Sequence, residues 1–204
     1  MKQKMLLALS AAMVMMFGAV VTVPAEQFMV DDFEQQGNAL YSKSNIYKKD
    51  GAPSDAKKGR TDKEFSSGQY SLYVAYKKEA EGWCGYYIQL ISGGKYFDST
   101  PYTKLTFMVK GKAGGENFQI GMADEYWFKQ DDSVKSDDIT KYLPAGQVTT
   151  EWQKAEIPLS VFVDKRGGEF DLTKLGSVAF CFETSCFPDE TGKGVIYLDD
   201  VAFE

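Results

Sequence analysis

The chain has 204 residues, with 23 Lys plus Arg against 29 Asp plus Glu, no His, and 44% apolar residues. That apolar content supports a buried core and excludes a disordered chain. The lack of His excludes Ser-His-Asp and Cys-His catalysis, His-containing zinc sites and the usual neutral-pH proton shuttle, and the acidic balance makes nucleic acid a poor partner.

Residues 1–25 read as a signal peptide. Lys2 and Lys4 form a positive start, Met5 to Val23 is an uncharged apolar run, and Val23-Pro24-Ala25 offers the small and β-branched residues that precede a signal peptidase cut. The run is also just long enough to anchor uncleaved, but Ser10, Gly18, Thr22 and Pro24 favour cleavage after Ala25. Cleavage leaves residues 26–204 as one secreted or periplasmic domain. No later run is long and apolar enough to span a bilayer, so no membrane contact is expected after cleavage.

Export permits disulfides, and the remaining chain carries Cys84, Cys181 and Cys186. Cys181 and Cys186 could close a small loop, Cys84 could pair with either, or all three could stay as small apolar thiols. Spacing leaves these alternatives open.

Lys48 to Lys63 is polar and carries Gly and Pro, which predicts a long exposed loop. Alternating runs follow. Ser71 to Lys77 puts Leu72, Val74 and Tyr76 on one face. Tyr86 to Ile91 turns Tyr86, Ile88 and Leu90 one way and Tyr87, Gln89 and Ile91 the other. Lys104 to Lys110 and Asn117 to Ala123 repeat the pattern through Leu105, Phe107, Val109 and Phe118, Ile120, Met122. Ser177 to Glu183 aligns Val178, Phe180 and Phe182 against Ala179, Cys181 and Glu183, and Val195 to Val201 ends the series. A period of two predicts strands with one buried face. Gly-rich punctuation at 92–94, 111–115, 167–168 and 192–194 supplies the turns, and Asp171 to Leu175 could form one helical turn. The pattern predicts an all-β fold, an antiparallel β-sandwich.

Five segments in order carry a family likeness: Val30-Asp31-Asp32-Phe33-Glu34, Ser67 to Val74, Leu105 to Gly111, Glu151 to Phe162, and Ile196 to Val201. Together they resemble a galactose-binding-like jelly roll, in particular family 11-type carbohydrate-binding modules and the complex I intermediate-associated protein 30 domain. In jelly rolls a strand at the domain start often pairs with one at its end. Pro158 offers no ladder donor and belongs on a sheet edge. Trp152 is assigned to structure.

The resemblance implies a structural calcium where the first and last strands meet, with Glu34 and Asp200 as ligands and Asp32 and Asp199 behind them. Asp62 and Glu64 precede Gly68 in a loop that could add donors. Calcium takes six to eight hard oxygens, which carboxylates and loop carbonyls provide. Solvated strand-end carboxylates are the simpler alternative.

The resemblance also implies a concave outer face that holds an extended polysaccharide or oligosaccharide. Sugar rings stack on aromatic faces while amides and carboxylates take the hydroxyls. Strand parity turns Tyr87, Gln89 and Glu183 outward, and Asp124-Glu125-Tyr126-Trp127-Phe128 crowds aromatics beside carboxylates. The expected ligand-binding residues are therefore Tyr87, Gln89, Tyr126, Trp127 and Glu183, with Trp83 and Asp124 behind them. The expected function is non-catalytic glycan binding. An envelope-assembly factor that binds an envelope protein through the same sandwich is the alternative. Asp131-Asp132 and Asp137-Asp138 read as solvated loops rather than a catalytic pair.

Overall fold

A computed structural model describes residues 27–204. The predicted signal peptide lies outside them. Two antiparallel sheets stack face to face. The first runs β3 (Asp55–Thr61), β4 (Ser71–Lys78), β11 (Gly192–Phe203), β6 (Lys104–Gly111) and β9 (Gln153–Pro158), with β1 (Phe28–Asp31) also paired to β11. The second runs β2 (Ser44–Lys48), β5 (Cys84–Gln89), β10 (Leu175–Phe182), β7 (Gln119–Asp124) and β8 (Val134–Asp138). Two short helices, α1 (Glu125–Lys129) and α2 (Ser160–Lys165), sit at strand ends.

The expected alternation forms the core. Leu72, Val74 and Tyr76 from β4, Leu105, Phe107 and Val109 from β6, and Val178, Phe180 and Phe182 from β10 are buried between the sheets. Their rings interlock. Tyr76 stacks on Phe182 at 3.8 Å, and Phe107 meets Phe180 edge-on at 5.1 Å. Each such side chain contributes about 1.5–3 kcal/mol of burial. Phe28 pairs with Phe203, so the strand at the start does join the strand at the end. Pro158 ends β9 at a sheet edge, opposite Lys104.

The exposed loop expected at 48–63 is corrected: β3 lies inside it and pairs with β4 from Asp55↔Lys77 to Thr61↔Ser71. Only Ala56 of β3 is buried, and Lys57, Lys58 and Arg60 supply the charge that protects a free edge, so the apolar signal of a strand is missing. Lys58 is not free in solvent, since its Nζ donates to the Ser44 carbonyl at 2.6 Å. The turn expected at Asp171 forms without a helix, with Lys174 N donating to the Asp171 carbonyl. The disulfide alternatives resolve to three unpaired thiols, all buried. Cys181 points out of the sandwich beneath the side chains of the second sheet, and Cys186 directs its sulfur to the Cys181 carbonyl at 3.8 Å rather than to its sulfur.

Candidate glycan-binding groove

The outer face of the second sheet is a trough because its central residues are small. Ser177 and Ala179 of β10 point outward there, and Gly121 of β7 lies opposite Ala179. Larger side chains stand on both sides, and the resulting cleft has a volume of about 1050 Å³. A side chain could not be added to the floor without cost. A Cβ on Gly121 would run into Ser133 Oγ and Cys181 Sγ, and one on Gly85 would meet the Tyr47 ring.

One wall is aromatic. Trp83 precedes β5, Tyr47 lies on β2 and Tyr87 on β5. Tyr47 is 5.6 Å from Trp83 and 6.5 Å from Tyr87, ring centre to ring centre. Trp83 is 38% exposed, which leaves a face open to the groove. The Tyr47 hydroxyl is sunk against the Cys181 sulfur, and burial raises its pKa well above the usual value. Its ring is therefore held in place from behind.

The other wall is polar. Gln119, Lys135 and Glu183 stand there with the Gln130–Ser133 loop. The Lys135 ammonium sits 3.2 Å from Asp132 and 3.9 Å from Glu183, and it donates to Ser133 Oγ at 2.9 Å. Burial works against that charge, but Cys181, Glu183 and Asp132 outweigh it and the pKa of Lys135 is raised. Burial also raises the Glu183 carboxyl, with Lys135 opposing. Gln89 reaches the groove from β5, opposite Ser177.

Of the expected ligand-binding residues, Tyr87, Gln89, Glu183 and Trp83 come together in this groove. The structure places Asp124, Tyr126 and Trp127 elsewhere. Asp124 is buried as the cap of α1, where its carboxylate accepts from Trp127 N and Asp171 N, each at 3.0 Å. Trp127 packs against the core with the Arg166 guanidinium 4.9 Å over its ring. Tyr126 is 61% exposed and lines a separate hollow of about 330 Å³ that shares Gln130 with the groove. The chain turns into a helix after Asp124, which splits the aromatic cluster, so that Phe128 rather than its neighbours reaches the groove. Phe128 covers Gly176, whose missing side chain makes room for the ring. Sequence reasoning missed Tyr47, Phe128 and Lys135. Phe128 lay inside the aromatic segment already singled out, and the apolar pair Ile46-Tyr47 among polar residues was the signal for Tyr47.

The expected calcium ligands lie at the other sheet. Glu34 Oε1 accepts from Gln69 N at 2.9 Å and Tyr70 N at 2.8 Å, which lowers its pKa. Gly68, at φ +63, leaves the space that this carboxylate fills. Asp200 Oδ1 accepts from Ser67 Oγ at 2.9 Å. Asp199 is buried and accepts from Ser66 N and Ser67 N, and burial pushes its carboxyl up to about 6. Asp32 is exposed and turns back to Glu34 N. Glu64 pairs with Lys110 at 2.6 Å. Among the described residues no three carboxylate or thiol side chains gather as a metal cage. Glu34 and Asp200 reach the same 66–70 loop, which turns N–H and O–H donors toward them.

A family model described as carbohydrate binding domain 30 matches residues 22–204. The chain belongs to the carbohydrate binding domain 30 family, whose members are non-catalytic binding modules. Solved structures agree on the fold. A family 11 carbohydrate-binding module from a Clostridium thermocellum cellulase superimposes with a TM-score of 0.62 at 18% identity, over 89% of this chain and 95% of that one. A second family 11 structure from Clostridium thermocellum, in complex with a β-1,3-1,4-mixed-linked tetrasaccharide, gives 0.61 at 17% identity over 87% and 94%. A family 30 module from a Clostridium thermocellum cellulase gives 0.55 at 23% identity over 72% and 81%. No curated protein matches the chain. Among the described residues no helix is long and apolar enough to cross a membrane.

Proposed function

We propose that the groove on the second sheet binds an extended β-linked glucan. The observation that carries this reading is the pairing of an aromatic wall, Trp83, Tyr47 and Tyr87, with a wall of amide and charged groups across a floor of small residues. Pyranose rings lay their C–H faces on the aromatics, and Gln89, Gln119 and Glu183 take the hydroxyls. A mixed-linked oligosaccharide in the family 11 neighbour makes that polymer the first ligand to try. Titration calorimetry with β-1,3-1,4-glucan tests the reading. Binding by the wild type that Tyr87→Ala weakens, with the fold intact by circular dichroism, supports it. No binding to this or any other glucan overturns it, and capture of an envelope protein would then support the assembly alternative.

Calcium is the proposed structural ion. Glu34 and Asp200 would hold it with carbonyls of the 66–70 loop, and it would supply a charge that ties β1 and β11 to that loop. Export by the signal peptide read over residues 1–25 belongs to the same reading.

A further inference from the structure

Lys77 of β4 and Lys193 of β11 are direct cross-strand partners, and both side chains are exposed on the outer face of the first sheet. Like charges placed opposite each other destabilise a sheet. Both strands are interior, so neither lysine is there to blunt an edge. Glu79 answers the Lys77 ammonium, but among the described residues no carboxylate pairs with Lys193. Asp55, opposite Lys77 on β3, is already held by Lys48 at 2.9 Å.

The next outward row enlarges the charge. It runs Lys57, Ala75, Val195, Lys112, placed by the pairing of β3, β4 and β11 and by Lys112 N, which donates to the Val195 carbonyl at 2.9 Å. Lys57 and Lys112 are exposed and stand about 14 Å apart, three strand spacings, with two short apolar side chains between them. On the far side of this row lie Tyr73 and Tyr197, partners across β4 and β11 and both half-buried. The Tyr73 ring lies over Gly59, where a Cβ would strike it, so the ring is laid along the sheet. Lysines thus border a shallow apolar floor on three sides and tyrosines on the fourth, on a chain whose net charge is −6.

We propose that this face, on the side of the sandwich away from the groove, binds an acidic polysaccharide, its uronate carboxylates on Lys57, Lys112 and Lys193 and its pyranose rings against Tyr73 and Tyr197. Ammonium groups donate charge-assisted hydrogen bonds to carboxylates, and aromatic faces take the C–H faces of sugar rings. A uronate also relieves the repulsion between Lys77 and Lys193, which a neutral glucan leaves uncompensated. The site is separate from the groove and does not depend on what the groove binds.

The test is calorimetry at low ionic strength with polygalacturonate as the probe. The wild type should bind it, and about 0.5 M salt should weaken that binding by screening the ammonium groups. Lys193→Gln and Lys112→Gln should each lose about two- to fivefold in affinity, and Tyr197→Ala about three- to tenfold. All three should keep the wild-type response to β-1,3-1,4-glucan, and Tyr87→Ala should keep the wild-type affinity for polygalacturonate. No binding of polygalacturonate by the wild type overturns the proposal and leaves the groove reading standing. Binding that the three variants leave unchanged, or that Tyr87→Ala removes, overturns it as well, the latter because the polymer then lies in the groove. Equal affinity for polyglutamate overturns the sugar class, and equal affinity for the fully methyl-esterified polymer overturns the role of the lysines.

Discussion

Tyr47 and Trp83 meet at 5.6 Å on one wall of the groove, although 36 positions separate them in the chain. The pairing of β2 with β5, Lys48 opposite Cys84, brings them together. Their contact orients both rings before any ligand arrives, and binding then loses little side-chain entropy. Trp83→Ala and Tyr87→Ala should each weaken glucan binding about tenfold, roughly 1.4 kcal/mol, with little change in melting temperature. Calorimetry beside a thermal melt checks both halves of the expectation.

The small floor makes a separate prediction. Ala179 lies between Tyr87 and Gly121 at the centre of the trough. Ala179→Leu should fill the groove and remove glucan binding while the outward position leaves the core undisturbed. Affinity electrophoresis with glucan in the gel would reveal it: retarded wild type, unretarded variant, and equal mobility in a plain gel.

Calcium should act on stability rather than on the groove. If Glu34 and Asp200 hold the ion, a chelator should lower the melting temperature by roughly 5–10 °C, the shift that ligand at about 100 times its Kd gives a chain of this size. Glu34→Gln and Asp200→Asn should melt at the chelated temperature with or without added calcium. An unchanged melt on chelation of the wild type counts against the site.

Asp31 makes a pH prediction. It is buried at the end of β1, where burial pushes its carboxyl up to about 6 against the ordinary 3.8, while its bond from Phe33 N and the Lys58 and Arg60 charges oppose the rise. The folded value lies above the unfolded one, so protonation favours the fold. That contribution is complete below about pH 3.8 and is lost as pH climbs through about 6. Asp31→Asn should therefore flatten the decline in stability between pH 4 and 7 by about 2–3 kcal/mol. Asp199 adds a decline of the same sign, so some slope should remain. Urea melts in the presence of a chelator isolate these two groups from any bound cation.

The three thiols should be silent in the native protein. Burial pushes Cys84 and Cys181 up to about 11 and Cys186 up to about 12, so thiolate is scarce at neutral pH. A thiol reagent should titrate none of them in native buffer and all 3 in guanidinium. A lower count after denaturation would mean that a disulfide forms after all.

The interior strands of each sheet were legible in the sequence, and so was the edge strand β9 through its alternation and Pro158, but the other edge strands were not. β4, β5, β6, β7 and β10 are paired on both sides and carry the apolar alternation that burial demands. β2, β3 and β8 are edge strands, and Lys57, Lys58, Arg60 or Asp137 stand where an interior strand would be apolar. The same reason divides the groove. Tyr87, Gln89 and Glu183 follow from the parity of interior strands, whereas Tyr47 and Lys135 sit on the edges that parity did not reach. Tyr126 and Trp127 were chosen because their segment crowds aromatics beside carboxylates, and they lie outside the groove because capping by Asp124 turns that segment into a helix that faces its rings apart.

Phe28 and Phe203 are partners across β1 and β11, both in the sheet that turns away from the groove. Chain that enters the fold at Phe28 and leaves it at Phe203 therefore does so on the sheet away from the trough. Because Phe28 and Phe203 are neighbours, the segment between them can be spliced into a loop of a host protein as a cassette, or Phe28 and Phe203 be linked and the chain opened at an exposed turn such as Gly93-Gly94, without disturbing the trough.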